Sequence, residues 1–188
     1  DYDYYDLAAE GLLWRFDVDG DATPFEAVYL PLGEQSGTPQ LTAIDLDSAG
    51  RWLVAGETGS YGTASALCSR YLEDGILDVT FAGEGTVAQP AEAGAYTQVV
   101  EDAGGRVVMA HHRYGRLLVH RYTAAGELDP TFGSAGEVLI DPDTLVGTYI
   151  HDPGTFSIAV LPDGRLLIAV SSCGGSSSAQ SVVLALWD

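Results

Sequence analysis

Asp17, Asp19 and Asp21 stand at alternate positions in the stretch DVDGDATPFE, a spacing that lets three carboxylates converge on a hard cation. Calcium is the ion such a loop would hold; the competing reading is a tight turn around Gly20. An EF-hand is excluded, because glycine stands fourth rather than sixth and no Glu stands twelfth. The histidines offer a second kind of chemistry: His111, His112, His120 and His151, the last followed by Asp152. A His-Asp pair beside other histidines can bind a metal or act as a general base, or it can be a hydrogen-bonded turn in the irregular stretch YIHDPGTF. The stretch AHHRYGRLLVH reads as two strands meeting at Tyr114-Gly115, which puts His111 and His112 on opposite faces of a sheet. Cys68 and Cys173, 105 positions apart, lack metal-ligand spacing and permit either one disulfide or two separate buried thiols. There is no Gly-x-Ser-x-Gly, no phosphate-cradling glycine-rich loop and no cysteine with a base partner, so no catalytic residue is assigned.

These residues must be positioned by a repeated framework. RYLEDGILDVTF at 70–81 returns as RYTAAGELDPTF at 121–132, a spacing of 51. A second phrase occurs three times: LTAIDLDSAGRWLVAGE from Leu41, YTQVVEDAGGRVVMAHH from Tyr96 and FSIAVLPDGRLLIAVSS from Phe156. Each is two apolar strands around a Gly-Arg turn, and the turn glycines Gly50, Gly105 and Gly164 lie 55 and 59 positions apart. Self-similarity near a period of about 50 marks a repeat architecture. A third strand ends in the Arg-aromatic pair, and a fourth follows the Thr-Phe phrase. Four short strands per unit predict an all-β fold of antiparallel propeller blades, one repeat domain over 1–188 with units at roughly 11–40, 41–90, 96–142 and 156–188. Runs such as RLLIAV suit strands packed on both faces. Phe81 and Phe132 are expected to plug the space between blades, with Asp78 and Asp129 holding backbone amides in a turn.

Bulk properties narrow the function. With 27 acidic residues against 8 basic ones, all of them Arg, the chain carries a net charge of −19. Such a charge repels phosphate backbones and anionic lipid, so nucleic-acid and membrane-surface binding are disfavoured. It suits solubility in a salty or extracellular medium, or attraction of cations or a basic partner. No run reaches 18 consecutive apolar residues, so no direct membrane insertion by a helix is expected. The first residue is Asp1 rather than Met, as in a processed exported protein or a piece of a longer chain.

The order of an Arg-aromatic pair, a Gly turn, Leu-Asp, Thr-Phe, a strand and a Pro-Asp-Gly-Arg turn resembles the delta-60 repeat, a bacterial β-propeller repeat. The likeness runs from about Leu12 onward and is fullest in units two and three. In the first unit Arg15, Phe16, Gly20 and Phe25 fall roughly in place, and the last stops before its Leu-Asp phrase. The resemblance implies a propeller, often part of large exported or surface proteins, and assigns no reaction. The DVDGD stretch is also similar to the calcium loops of integrin-type propellers, except that the ninth position is Phe25. In the usual blade order His111, His112, Tyr114, Tyr149, His151 and Asp152 would share one rim as a binding surface.

The expected function is a non-catalytic binding or scaffold module located in the extracellular space, the periplasm or on the cell surface, without a cofactor unless calcium is held. The alternatives are a carbohydrate-binding propeller, motivated by ten tyrosines and three tryptophans, and a metal-dependent propeller hydrolase or lyase, motivated by the histidines. The recognisable strands amount to about three and a half to four blades, below or at the minimum for a closed ring. The apolar strand SVVLALW lacks charge along its edge. A protein partner or a second copy is therefore expected to complete the propeller.

Overall fold

The computed structural model describes residues 10–13, 28–31, 40–59, 64–91, 96–141, 153–172 and 181–186. Every regular element among them is a β-strand, and the strands within each sheet pair antiparallel. β1 (Glu10–Leu13) and β2 (Val28–Pro31) form a two-stranded sheet. The second sheet holds β3 (Gln40–Leu46), β4 (Trp52–Thr58), β5 (Ser65–Tyr71) and β6 (Thr86–Pro90) in chain order. The third repeats it with β7 (Thr97–Glu101), β8 (Val107–Arg113), β9 (Arg116–Tyr122) and β10 (Glu137–Ile140). β11 (Pro153–Val160), β12 (Leu166–Ser172) and β13 (Ser181–Leu186) form a three-stranded sheet. The all-β expectation holds, and no sheet closes on itself among the described residues.

The turn chemistry explains why these meanders repeat. At Asp47–Arg51, Asp102–Arg106 and Leu161–Arg165 the first amide donates to the last carbonyl over 2.8 Å, and the glycine amide donates back to the first carbonyl over 2.9 Å. The glycines sit at φ of 80°, 74° and 88°, a region that side chains resist. Each Gly-Arg turn thus returns the chain into an antiparallel partner at fixed register.

The sheets pack face to face. β7 lies against β3 and β4 on one side and β11 on the other. Between the second and third sheets lie Leu53, Ala55, Ala66, Cys68, Phe81, Val99, Val107, Met109 and Tyr122. Between the third and fourth lie Val108, Ala110, Leu117, Val119, Phe132, Phe156, Ile168 and Val170. Phe81 and Phe132 therefore occupy equivalent places in successive inter-sheet cores, as their sequence positions imply. All seven residues of β4 are buried, which is why WLVAGET shows no polar alternation. β12 departs from the two-faced expectation. Leu166, Ile168 and Val170 are buried while Ala169 is exposed, because only the side toward the third sheet is covered among the described residues.

Polar bonds fix the spacing of β3 and β7. A register irregularity between Leu41 and Ala43 turns Thr42 toward β7. Its hydroxyl donates to the Thr97 carbonyl over 2.6 Å and accepts from the Thr97 amide at 3.1 Å. Further along, the Glu101 amide donates to Asp45 Oδ2 at 3.0 Å, and the Glu101 carboxylate accepts from the Ser48 amide at 2.7 Å. Truncating Phe81 to Ala should remove a fully buried aromatic plug between the second and third sheets. The expected loss is about 3–5 kcal/mol, read from the urea midpoint.

Candidate functional site

The residues repeated 51 positions apart build the same structure twice. Arg70 ends β5 on its buried side, and its Nε donates to Asp78 Oδ2 at 2.8 Å. Arg121 does the same to Asp129 Oδ2 at 2.9 Å. The other carboxylate oxygen accepts the amide of the Thr two residues on, at 3.1 Å for Thr80 and 3.0 Å for Thr131, and also the Thr hydroxyl. Each guanidinium lies over the following Phe, 4.7 Å from the Phe81 centroid and 4.6 Å from that of Phe132. A second arginine joins from the Gly-Arg turn. Arg51 binds Asp47 at 2.7 Å and reaches Asp78 at 3.4 Å; Arg106 binds Asp102 at 2.7 Å and reaches Asp129 at 3.6 Å. Two cations thus share one nearly buried aspartate in each unit.

The clamp also crosses between sheets. Arg70 Nη1 donates to the Ala124 carbonyl at 2.6 Å, and the Ala82 amide donates to the Ala125 carbonyl at 2.7 Å. Gly126 permits this approach, since a Cβ there would stand 2.5 Å from the Ala82 nitrogen. Burial alone would raise the Asp78 carboxyl, but the Thr80 hydroxyl and amide and the Arg70 charge outweigh it and hold it below the usual range. Asp129 is lowered chiefly by the Thr131 hydroxyl and amide, with Arg121 adding to them. Both aspartates stay ionised at neutral pH, and the stability they contribute is lost only as acid titrates them below about 4.

The histidines are placed by one hairpin. Tyr114 and Gly115 both have positive φ, 53° and 71°, which suits a two-residue turn and pairs Arg113 with Arg116. His111 and His112 then face opposite sides, as alternation requires. His112 turns toward the fourth sheet and packs on Phe156 with centroids 4.8 Å apart. His111 turns toward the second sheet and meets His120 of β9, with Nε2 to Nε2 at 3.1 Å. Neither lies on an exposed rim: His111 is 0% and His112 6% exposed, because β8 is covered on both faces. Tyr114, at 75%, is the exposed member of the expected rim among the described residues. Tyr149, His151 and Asp152 lie outside the described residues, as do Asp17, Asp19, Asp21 and Cys173.

Cys68 is a free, fully buried thiol in the core between the second and third sheets. Burial pushes its pKa up to about 12, against a weaker opposing pull from Arg70. Tyr122, in the same core, receives a hydrogen bond from Gln89 Nε2 at 3.0 Å, and burial likewise raises its hydroxyl. Among the described residues no group of three or more His, Cys, Asp or Glu is arranged to hold a metal ion.

Two features escape the motif-level reading. The His111–His120 pair was accessible from the hairpin, since a two-residue turn at Tyr114-Gly115 sets the register that makes them diagonal neighbours. The bridging by Arg51 and Arg106 was not, because it depends on the Gly-Arg turn folding over the Leu-Asp connection.

Replacing Asp78 with Ala should leave the buried Arg70 guanidinium without its carboxylate. The expected cost is about 3 kcal/mol, measured by urea unfolding. Cys68 should resist a thiol reagent in the folded protein at about pH 8 and react after denaturation, mapped by mass spectrometry. No family model matches the chain, and no curated protein does.

Proposed function

We propose that the chain is a non-catalytic binding and assembly module built of delta-60-type propeller repeats. It works in the extracellular space, the periplasm or on the cell surface, as a subunit of a larger complex or a piece of a larger surface protein. The observation that carries this is how the repeated polar residues are used. Both copies of the Arg-Asp-Thr-Phe set bind strand to connection with matching bonds, and Arg70 continues to the next sheet. A catalytic or ligand-binding set would instead converge on a concavity with polar atoms aimed into it.

The propeller arrangement draws support from the inner strands. β7, first in its sheet, lies between β3 and β11, the first strands of theirs, as strands around a central axis do. Completion by a partner or second copy draws support from the outward faces of this stack. On the side of β3 turned away from β7, Ile44 and Leu46 are 54% and 61% exposed, and Ala159 and Ala169 are exposed on the far side of the fourth sheet. In the third unit the position matching Ile44 is Val99, buried against the second sheet.

Light scattering over a wide concentration range tests the reading. The expected result is a mass above that of one chain. A stable, non-aggregating monomer throughout would reject completion by a second copy and favour closure of the ring by the chain itself. Hydrolytic turnover by the same sample, abolished by a chelator, would overturn the non-catalytic assignment.

A further inference from the structure

His111 and His120 lie on the face that the third sheet turns toward the second, among the buried Val107, Met109 and Tyr122. Their rings lie within 8° of parallel, with Nε2 facing Nε2 at 3.1 Å, and His120 is 2% exposed. Hydrogen-bond chemistry fixes where the protons stand. His111 Nδ1 lies 3.3 Å from the His112 carbonyl, which only accepts, so this nitrogen carries the proton. The Nε2 of neutral His111 is then an acceptor, and His120 must donate to it from its own Nε2. His120 Nδ1 is left as a buried lone pair without a hydrogen-bond partner, 3.7 Å from the Glu137 carboxylate. Two acceptors face each other there, and one proton would turn the repulsion into an ion pair.

A second proton has no such place. On His111 it must go to Nε2, where it would meet the N–H of His120. Two N–H groups and two positive charges would then oppose each other at hydrogen-bond distance in a dry core.

We propose that Glu137, His120 and His111 form a proton-operated latch on the interface between the second and third sheets. The first proton, on His120 Nδ1, joins it to Glu137 and keeps the imidazole pair intact; the second, on His111, breaks the pair and opens the interface.

The surroundings set the order of the two steps. Burial holds His120 below the ordinary histidine value, and the Glu137 charge partly offsets this. Burial and then the neighbouring His120 lower His111 to about 4; the bond to the His112 carbonyl works against this, and the Arg113 and His112 charges add to the lowering. From the facing sheet come Cys68, which burial keeps as a thiol, and Glu57, on the β4 face that carries Leu53 and Ala55. Tyr122 beside the pair stays a neutral phenol. Unfolded histidines take up protons near 6.5, so folding stability is full above that value and falls as the pH drops toward about 4. Asp78 and Asp129, held below the usual carboxylate range, titrate beneath this window.

Nitrogen-15 spectra of the histidine rings through an acid titration, with hydrogen exchange at the Ala82 amide, test the latch. That amide bonds across the interface to the Ala125 carbonyl. The expected result at neutral pH is a proton on His111 Nδ1 and on His120 Nε2. On acidification His120 charges first, and the protection of the Ala82 amide, its exchange rate relative to that of an unstructured amide at the same pH, falls about tenfold or more as His111 charges. In the Glu137→Gln variant, altered at a half-exposed side chain, His120 should charge about half a pH unit lower or more. A proton on His111 Nε2 at neutral pH, unchanged Ala82 protection while His111 charges, or an unshifted His120 in the variant would each overturn the proposal.

Discussion

A guanidinium taken out of water demands a carboxylate, and in this protein that demand shapes the connection between the third and fourth strands of each complete unit. Arg70 and Arg121 are almost wholly buried, so Asp78 and Asp129 must lie beneath them. The aspartate's second oxygen then gathers the Thr amide and hydroxyl, which curls the chain so that the Phe at the next position meets the arginine from the other side. That Phe enters the core between sheets. One charge pair therefore determines the path of a loop, the position of an aromatic plug and, through the bond from Arg70 to Ala124, the distance to the next sheet.

The fourth unit shows what happens without the first aspartate. Its turn has the same backbone bonds, but Leu161 stands where Asp47 and Asp102 stand in the earlier units. Arg165 instead pairs with Asp163 two positions away, on the surface. The pairing of cations has a consequence for the whole molecule. Arg51, Arg70, Arg106, Arg116, Arg121 and Arg165 all lie against aspartates, and the chain has no lysine. The remaining carboxylates leave a net negative charge, which repels polyanions.

The histidines follow different physics. An imidazole pair can enter an apolar core because each ring donates once and accepts once, so a single chain of bonds from His120 to His111 to the His112 carbonyl leaves few polar atoms stranded. The atom left over, His120 Nδ1, faces the Glu137 carboxylate, a group able to hold a proton against it. Neutrality and registry depend on each other there in a way that the aspartate clamps, held below the usual carboxylate range, do not share.

The sequence by itself determined the strand pattern, the repeat and the roles of particular residues. Gly50 and Gly105 marked turns that need positive φ; the recurrence of Asp78, Thr80 and Phe81 at Asp129, Thr131 and Phe132 marked a connection and a plug. These are legible because they rest on contacts between residues near in the chain or on a strict period. Only the tertiary structure decided that His111 and His112 are interior, that Arg51 reaches Asp78 across 27 positions, and that Thr42 ties β3 to β7 across 55. Each depends on how one sheet covers another, and the covering distance is a property of packed faces that no local spacing encodes.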